Sequence, residues 1–109
     1  MPIELPKPIA DYFDADRGSR TEAFADCFTA GAIVRDDGHT HIGRDAICRW
    51  KDEYSAKFTS TAEPFSVLDE EGRTVVASHV AGDFPGSPID LRYFFVLDDN
   101  KIAELEIKP

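Results

Sequence analysis

Positive charge is scarce in this sequence. Its 12 lysines and arginines stand against 21 aspartates and glutamates, a formal net charge of -9. Nucleic acid rewards clustered basic side chains, so no nucleic-acid partner is expected. Long apolar runs are missing as well. Nothing approaches the roughly 20 residues of a membrane-spanning helix. The opening Met1-Pro2-Ile3-Glu4 has neither the basic end nor the apolar stretch of a secretion signal. These deficits predict a cytoplasmic location and no membrane partner. Cysteine is limited to Cys27 and Cys48, without C-x-x-C spacing, which predicts free thiols in a reducing compartment. His39 and His41 lie two apart with no third ligand nearby, so no metal site is expected. There is no glycine-rich phosphate loop, dinucleotide fingerprint or G-x-S-x-G elbow, and no cofactor is expected.

What is present is ordinary globular composition, 42% apolar and 30% charged, in a length suited to one domain with one core. Pro6 and Pro8 precede a helix whose apolar face is Ile9, Tyr12 and Phe13. Gly18 ends it. Ser19 and Glu22 have the spacing of a capping box for a second helix, with Phe24, Cys27 and Phe28 as its buried face. Residues 32–35 read as a short strand, Asp37-Gly38 as a turn and residues 40–42 as the hairpin partner. A third helix is predicted over 44–58, with Ile47, Trp50, Tyr54 and Phe58 along one side and Trp50 buried against the sheet. Strands are predicted at 65–68, 74–84, 89–97 and 102–107, separated by Glu71-Gly72, by residues 85–88 and by residues 98–100. Helices first and strands last predict an α+β domain with an antiparallel meander covered by the helices.

Two strings resemble the nuclear transport factor 2-like superfamily, and within it the SnoaL-like and ketosteroid-isomerase-like proteins. One is His41-Ile42-Gly43-Arg44-Asp45-Ala46-Ile47-Cys48-Arg49-Trp50. The other is Phe94-Phe95-Val96-Leu97-Asp98-Asp99-Asn100-Lys101-Ile102. The resemblance runs from Ile9 to Ile107 and implies one SnoaL-like domain over 1–109. Its fold would be a cone-shaped, curved antiparallel sheet wrapped around N-terminal helices, with an internal pocket for a small apolar molecule. It also implies a homodimer packed through the outer sheet face. The strand at 89–97 fits that, because it carries apolar residues on both faces. Asp90, Arg92, Phe94 and Val96 are expected inward, and Leu91, Tyr93, Phe95 and Leu97 outward.

Ketosteroid isomerases use a helix tyrosine, a general-base aspartate after the first strand and a protonated aspartate on a late strand. By that resemblance Tyr12, Asp36 and Asp90 are the candidate catalytic residues. Arg92 departs from the pattern. Two residues from Asp90 on one strand face, it would hold that carboxylate ionised, an arrangement similar to the epoxide hydrolases of the same superfamily. Phe24, Phe28, His41, Trp50, Tyr54 and Phe94 are expected to shape the pocket. The candidate chemistry is cofactor-free acid–base catalysis on an apolar carbonyl compound, of the isomerase or cyclase type. The alternatives are a non-catalytic ligand-binding or dimerisation module and an epoxide-hydrolase-like hydrolase.

Overall fold

The computed structural model describes residues 3–18 and 21–109. Three helices precede or interrupt a single six-stranded sheet. They are α1 (Lys7–Gly18), α2 (Thr21–Asp26) and α3 (Arg44–Lys57). The strands are β1 (Phe28–Asp36), β2 (His39–Ile42), β3 (Ser60–Glu70), β4 (Arg73–Gly82), β5 (Ile89–Asp98) and β6 (Lys101–Lys108). Their order across the sheet is β2-β1-β6-β5-β4-β3. The fold is the expected α+β cone, a curved sheet that does not close on itself. Its sheet is mixed, however: β1 and β6 run parallel while every other pair is antiparallel. The chain enters the sheet through β1, leaves by way of α3 and returns to β1 only with its last strand.

The turns form where the sequence places residues tolerant of positive φ. Asp37 and Gly38 (φ 50° and 77°), Glu71 and Gly72 (53° and 79°), and Asp99 and Asn100 (50° and 63°) each close a two-residue hairpin. Positive φ at both central positions matches the twist of the strands they join. Ser19, the expected cap paired with Glu22, lies outside the described residues. Phe28 belongs to β1 rather than to the second helix, because α2 ends at Asp26 and the chain is already extended at Phe28.

The core lies between the helices and the concave face of the sheet. Ile9, Phe13, Phe24, Phe28, Phe95, Ile102 and Leu105 are fully buried there. Tyr12 packs among them, its ring 5.1 Å from Phe24 and 5.5 Å from Phe95. With Tyr93, six aromatic rings are buried in this core, and in so small a chain they supply much of the apolar area that must offset backbone ordering. The expectation for β5 is overturned. Leu91, Tyr93, Phe95 and Leu97 face the core, while Asp90, Arg92 and Phe94 face outward. The all-apolar set takes the concave side because only that side is dry, and a shift of one residue would expose every member of it. Phe94 is nonetheless buried on the outer face, beneath the side chains of Arg73, Arg92 and Lys108, whose charged groups lie 4.8–5.5 Å from its ring centre. Both cysteines are free thiols.

Candidate functional site

A cavity of about 440 Å³ opens between the concave face of the sheet, α1 and α3. Register across the sheet explains which side chains meet in it. Val76, Tyr93, Ile107, Asp36 and His39 stand opposite one another in one row from β4 to β2. Cross-strand partners share a face, so Tyr93 and Asp36 flank Ile107 on the concave side, about two strand spacings or roughly 10 Å apart along the backbone. Tyr12 reaches the same space from α1, its ring 6.3 Å from that of Tyr93. Tyr12, Asp36, Trp50 and Tyr54 all line the cavity, with Phe24 beneath them.

Asp36 is half-buried, and Trp50 Nε1 donates a 3.1 Å hydrogen bond to its Oδ2. Desolvation pushes the Asp36 carboxyl above its ordinary value, against the Trp50 bond, which acts in the other direction. Burial likewise pushes both tyrosine hydroxyls up, Tyr12 and Tyr93 alike, and the charges of Asp16 and Asp36 reinforce it. Both tyrosines are therefore neutral hydrogen-bond donors at physiological pH. Trp50 is not a core residue. It is half-buried in the cavity wall, stacked on His41 at 5.8 Å and beside Phe24 at 6.0 Å. Tyr54 donates or accepts a 3.0 Å bond with Ser60 Oγ at the other end.

The remaining expected residues lie elsewhere. Phe28 is sealed in the core, and His41 supports Trp50 from behind. Asp90 and Arg92 do not form the expected pair on the pocket wall. They are on the outer face, where Asp90 Oδ1 lies 2.8 Å from His79 Nδ1 and Arg92 bonds the Pro109 carbonyl. Phe94 is outward with them. The inward expectation rested on Phe94 and Val96 being apolar, and long cationic side chains cover that aromatic surface just as well as a core does.

Among the cavity residues that the sequence did not single out, three carry polar groups that matter below: Asp16, Lys51 and Tyr93. Asp16 is one helical turn past Tyr12, and Lys51 is one turn past the buried Ile47, so i, i+4 spacing places each on an inward helix face. Tyr93 follows from the unbroken apolar alternation of β5. A second, more open groove of about 510 Å³ runs along α1, α2 and the β5–β6 turn. It gathers no comparable constellation. Its Cys27 thiol is pushed up to about 11, chiefly by burial, and stays protonated. Among the described residues no cluster suited to a metal ion occurs, and no helix is long and apolar enough to cross a membrane.

The model of the SnoaL-like domain family matches residues 9–105. A Sinorhizobium meliloti protein provisionally called a polyketide cyclase is 38% identical, with 95% of each chain covered and a TM-score of 0.91. A protein with a ketosteroid-isomerase-like fold from Catenulispora acidiphila, in complex with trimethylamine, is 17% identical. It covers 97% of this chain and 87% of its own, with a TM-score of 0.85. TerC, co-crystallised with polyporic acid, is 14% identical over 94% of this chain and 88% of its own, with a TM-score of 0.82. The last two likenesses show the fold alone. No curated protein sequence matches the chain.

Proposed function

Because the chain belongs to the SnoaL-like domain family, whose members can turn one cone into many different sites, we propose from the site itself that it is a cofactor-free acid–base enzyme. Its substrate is an apolar, enolisable carbonyl compound, and the reaction is of the cyclase or isomerase type. The observation that carries this is Asp36, a carboxylate desolvated in the cavity wall and aimed by the Trp50 indole. Desolvation brings a carboxylate closer to the basicity that proton abstraction from carbon requires.

Asp36 takes a proton from the carbon beside the substrate carbonyl. The electron pair moves onto the carbonyl oxygen, where the Tyr12 and Tyr93 hydroxyls donate hydrogen bonds to the developing enolate. In an isomerase Asp36 returns the proton to another carbon. In a cyclase the enolate carbon attacks a second carbonyl of the same molecule, and the new alkoxide takes up the proton. Tyr93 thus fills the place that the sequence reading gave to Asp90. The 38% identity to the provisionally named polyketide cyclase supports the cyclase form.

Deuterium exchange into an apolar β-diketone in heavy water, followed by NMR, tests the reading without knowledge of the natural substrate. The wild-type protein should accelerate exchange, and Asp36→Asn should lower the catalysed rate by about 10²–10⁴-fold. Binding of the diketone without any acceleration would favour the non-catalytic binding module instead. The same reading includes a homodimer through the outer sheet face, where Ile42 and Leu68 are exposed apolar side chains.

A further inference from the structure

Lys51 is a buried cation in the cavity wall that acid–base chemistry on a neutral carbonyl compound does not call for. Its side chain is only 7% exposed, yet it carries an ammonium into the cavity wall. Two of its contacts go to one residue, with Nζ 2.9 Å from Asp16 Oδ1 and 3.2 Å from the Asp16 carbonyl oxygen. An ammonium has three N–H donors. Among the described residues no acceptor is found for the third. The charge also sits 5.5 Å from the centre of the Phe24 ring. Taking an ammonium out of water carries a desolvation penalty, and apolar residues of similar volume commonly serve stability as well or better. A leucine or methionine here would complete the wall, so the ammonium points to a role in recognition.

Phe24 ties this charge to the catalytic groups. Its ring is 5.1 Å from Tyr12, 6.0 Å from Trp50 and 5.5 Å from the Lys51 ammonium, and Trp50 in turn holds Asp36. Asp16 and Tyr12 are i, i+4 on α1, so the residue that holds the ammonium stands one helical turn from Tyr12 on the same face. Asp16, Asp36 and Asp37 also line the cavity, as does Lys108. The Lys108 ammonium, however, is engaged on the outer face, 3.7 Å from Glu106 and 5.4 Å from the Phe94 ring centre. An anion among these carboxylates is therefore best met by direct contact with the Lys51 ammonium. We infer that Lys51, positioned by Asp16, selects substrates that carry an anionic oxygen, a carboxylate or an ionised enol, close to the reacting carbonyl. This rests on the cavity being the substrate site, and it narrows the substrate class from apolar carbonyl compounds to acidic ones.

Paired aromatic probes of one shape and two charges test it by calorimetry. Naphthoate and its methyl ester report on a carboxylate. Hydroxynaphthoquinone and its methyl ether report on an ionised enol. Wild-type protein should bind at least one anion roughly tenfold or more tightly than its neutral partner, the usual yield of a charge-assisted hydrogen bond. Whichever pair shows the preference names the oxygen. Lys51→Met should abolish the preference while still binding the neutral ester, which also shows that the cavity is intact. Lys51→Arg should keep it, and Lys51→Gln provides a second uncharged variant should the methionine protein not fold. Equal binding of anion and neutral partner by the wild type overturns the inference and leaves the cavity as the substrate site. So does a preference that survives in the uncharged variants. Failure of all four probes overturns the inference together with the reading of the cavity, which the exchange assay with Asp36→Asn tests separately.

Discussion

Asp36 joins two opposing effects on one carboxylate, and each can be measured by removing its cause. The Trp50 N–H favours the ionised form, and burial disfavours it. Trp50→Phe keeps an aromatic wall and removes the donor. The Asp36 pKa should therefore rise further, as read by carbon NMR titration of the carboxylate, and a fall would mean that the indole bond does not serve the charged form. The same balance governs stability. The folded-state value lies above the ordinary 3.8, so in the window upward from there the folded protein holds a proton that the unfolded chain has lost. Stability contributed by this group declines as pH rises through that window, and the penalty is absent below it. Asp36→Asn removes the penalty. Its stability relative to wild type, from chemical denaturation over a pH series, should be smallest in acid, grow through the window and level off above it. A difference that shrinks with rising pH would reverse the assignment.

At the scale of elements, the cavity mouth depends on how β3 and β4 meet. Thr59 precedes β3, and its N–H is accepted by Asp83 Oδ1 at 2.7 Å while its carbonyl accepts from the Asp83 N–H at 3.0 Å. Gly82, the last residue of β4, lies so close that a Cβ there would overlap the Thr59 carbonyl oxygen and the Ser60 Cα. Its N–H is accepted by Ser87 Oγ at 2.8 Å, which ties down the segment carrying Phe84 and Pro85 into the cavity lining. The obstacle is backbone, which cannot step aside as a flexible side chain would. Gly82→Ala should cost about 1–3 kcal/mol, the usual range for an overpacked site, measured by urea denaturation. A loss under about 0.5 kcal/mol would show that the mouth is looser than this geometry. Further along β3, the register shifts between Pro64 and Ser66. That bulge leaves Phe65 unpaired in the ladder and 54% exposed.

The whole molecule presents an outer sheet face that is half apolar and half ionic. Leu68, Val75, Phe94, Glu106 and Arg35 form one row across it. Arg73 and Lys108 lie beside Glu106 at 3.8 and 3.7 Å, and Arg35 pairs with Glu104 at 3.2 Å. A two-fold contact between two such faces would cover Leu68 and Ile42, which are 51% and 65% exposed, and such self-complementary pairing is the commonest route to a dimer. Light scattering at micromolar concentration should then give twice the chain mass, and Leu68→Glu should shift the protein toward monomer. A wild-type monomer under those conditions would remove the dimer from the proposal.

Several features were decided locally and were legible in the residues themselves. The two-residue turns follow from Asp-Gly, Glu-Gly and Asp-Asn pairs. The apolar face of α1 follows from 3.6-residue spacing, and Tyr12 and Asp36 were placed at the cavity by family likeness and strand order. These rest on backbone preferences and short-range periodicity, which act before the chain is packed. The face of β5 was different, because both of its faces carry aromatic residues and pattern alone gives two answers. Tertiary structure chose between them: the concave side admits only the unbroken apolar set, and three cationic side chains from β4, β5 and β6 converge to shelter Phe94 on the other. The partners of Lys51 and Asp90 were likewise unreadable. Asp16 is 35 residues from Lys51 and His79 is 11 from Asp90, so each contact exists only once helix docking or strand register has brought distant charges together.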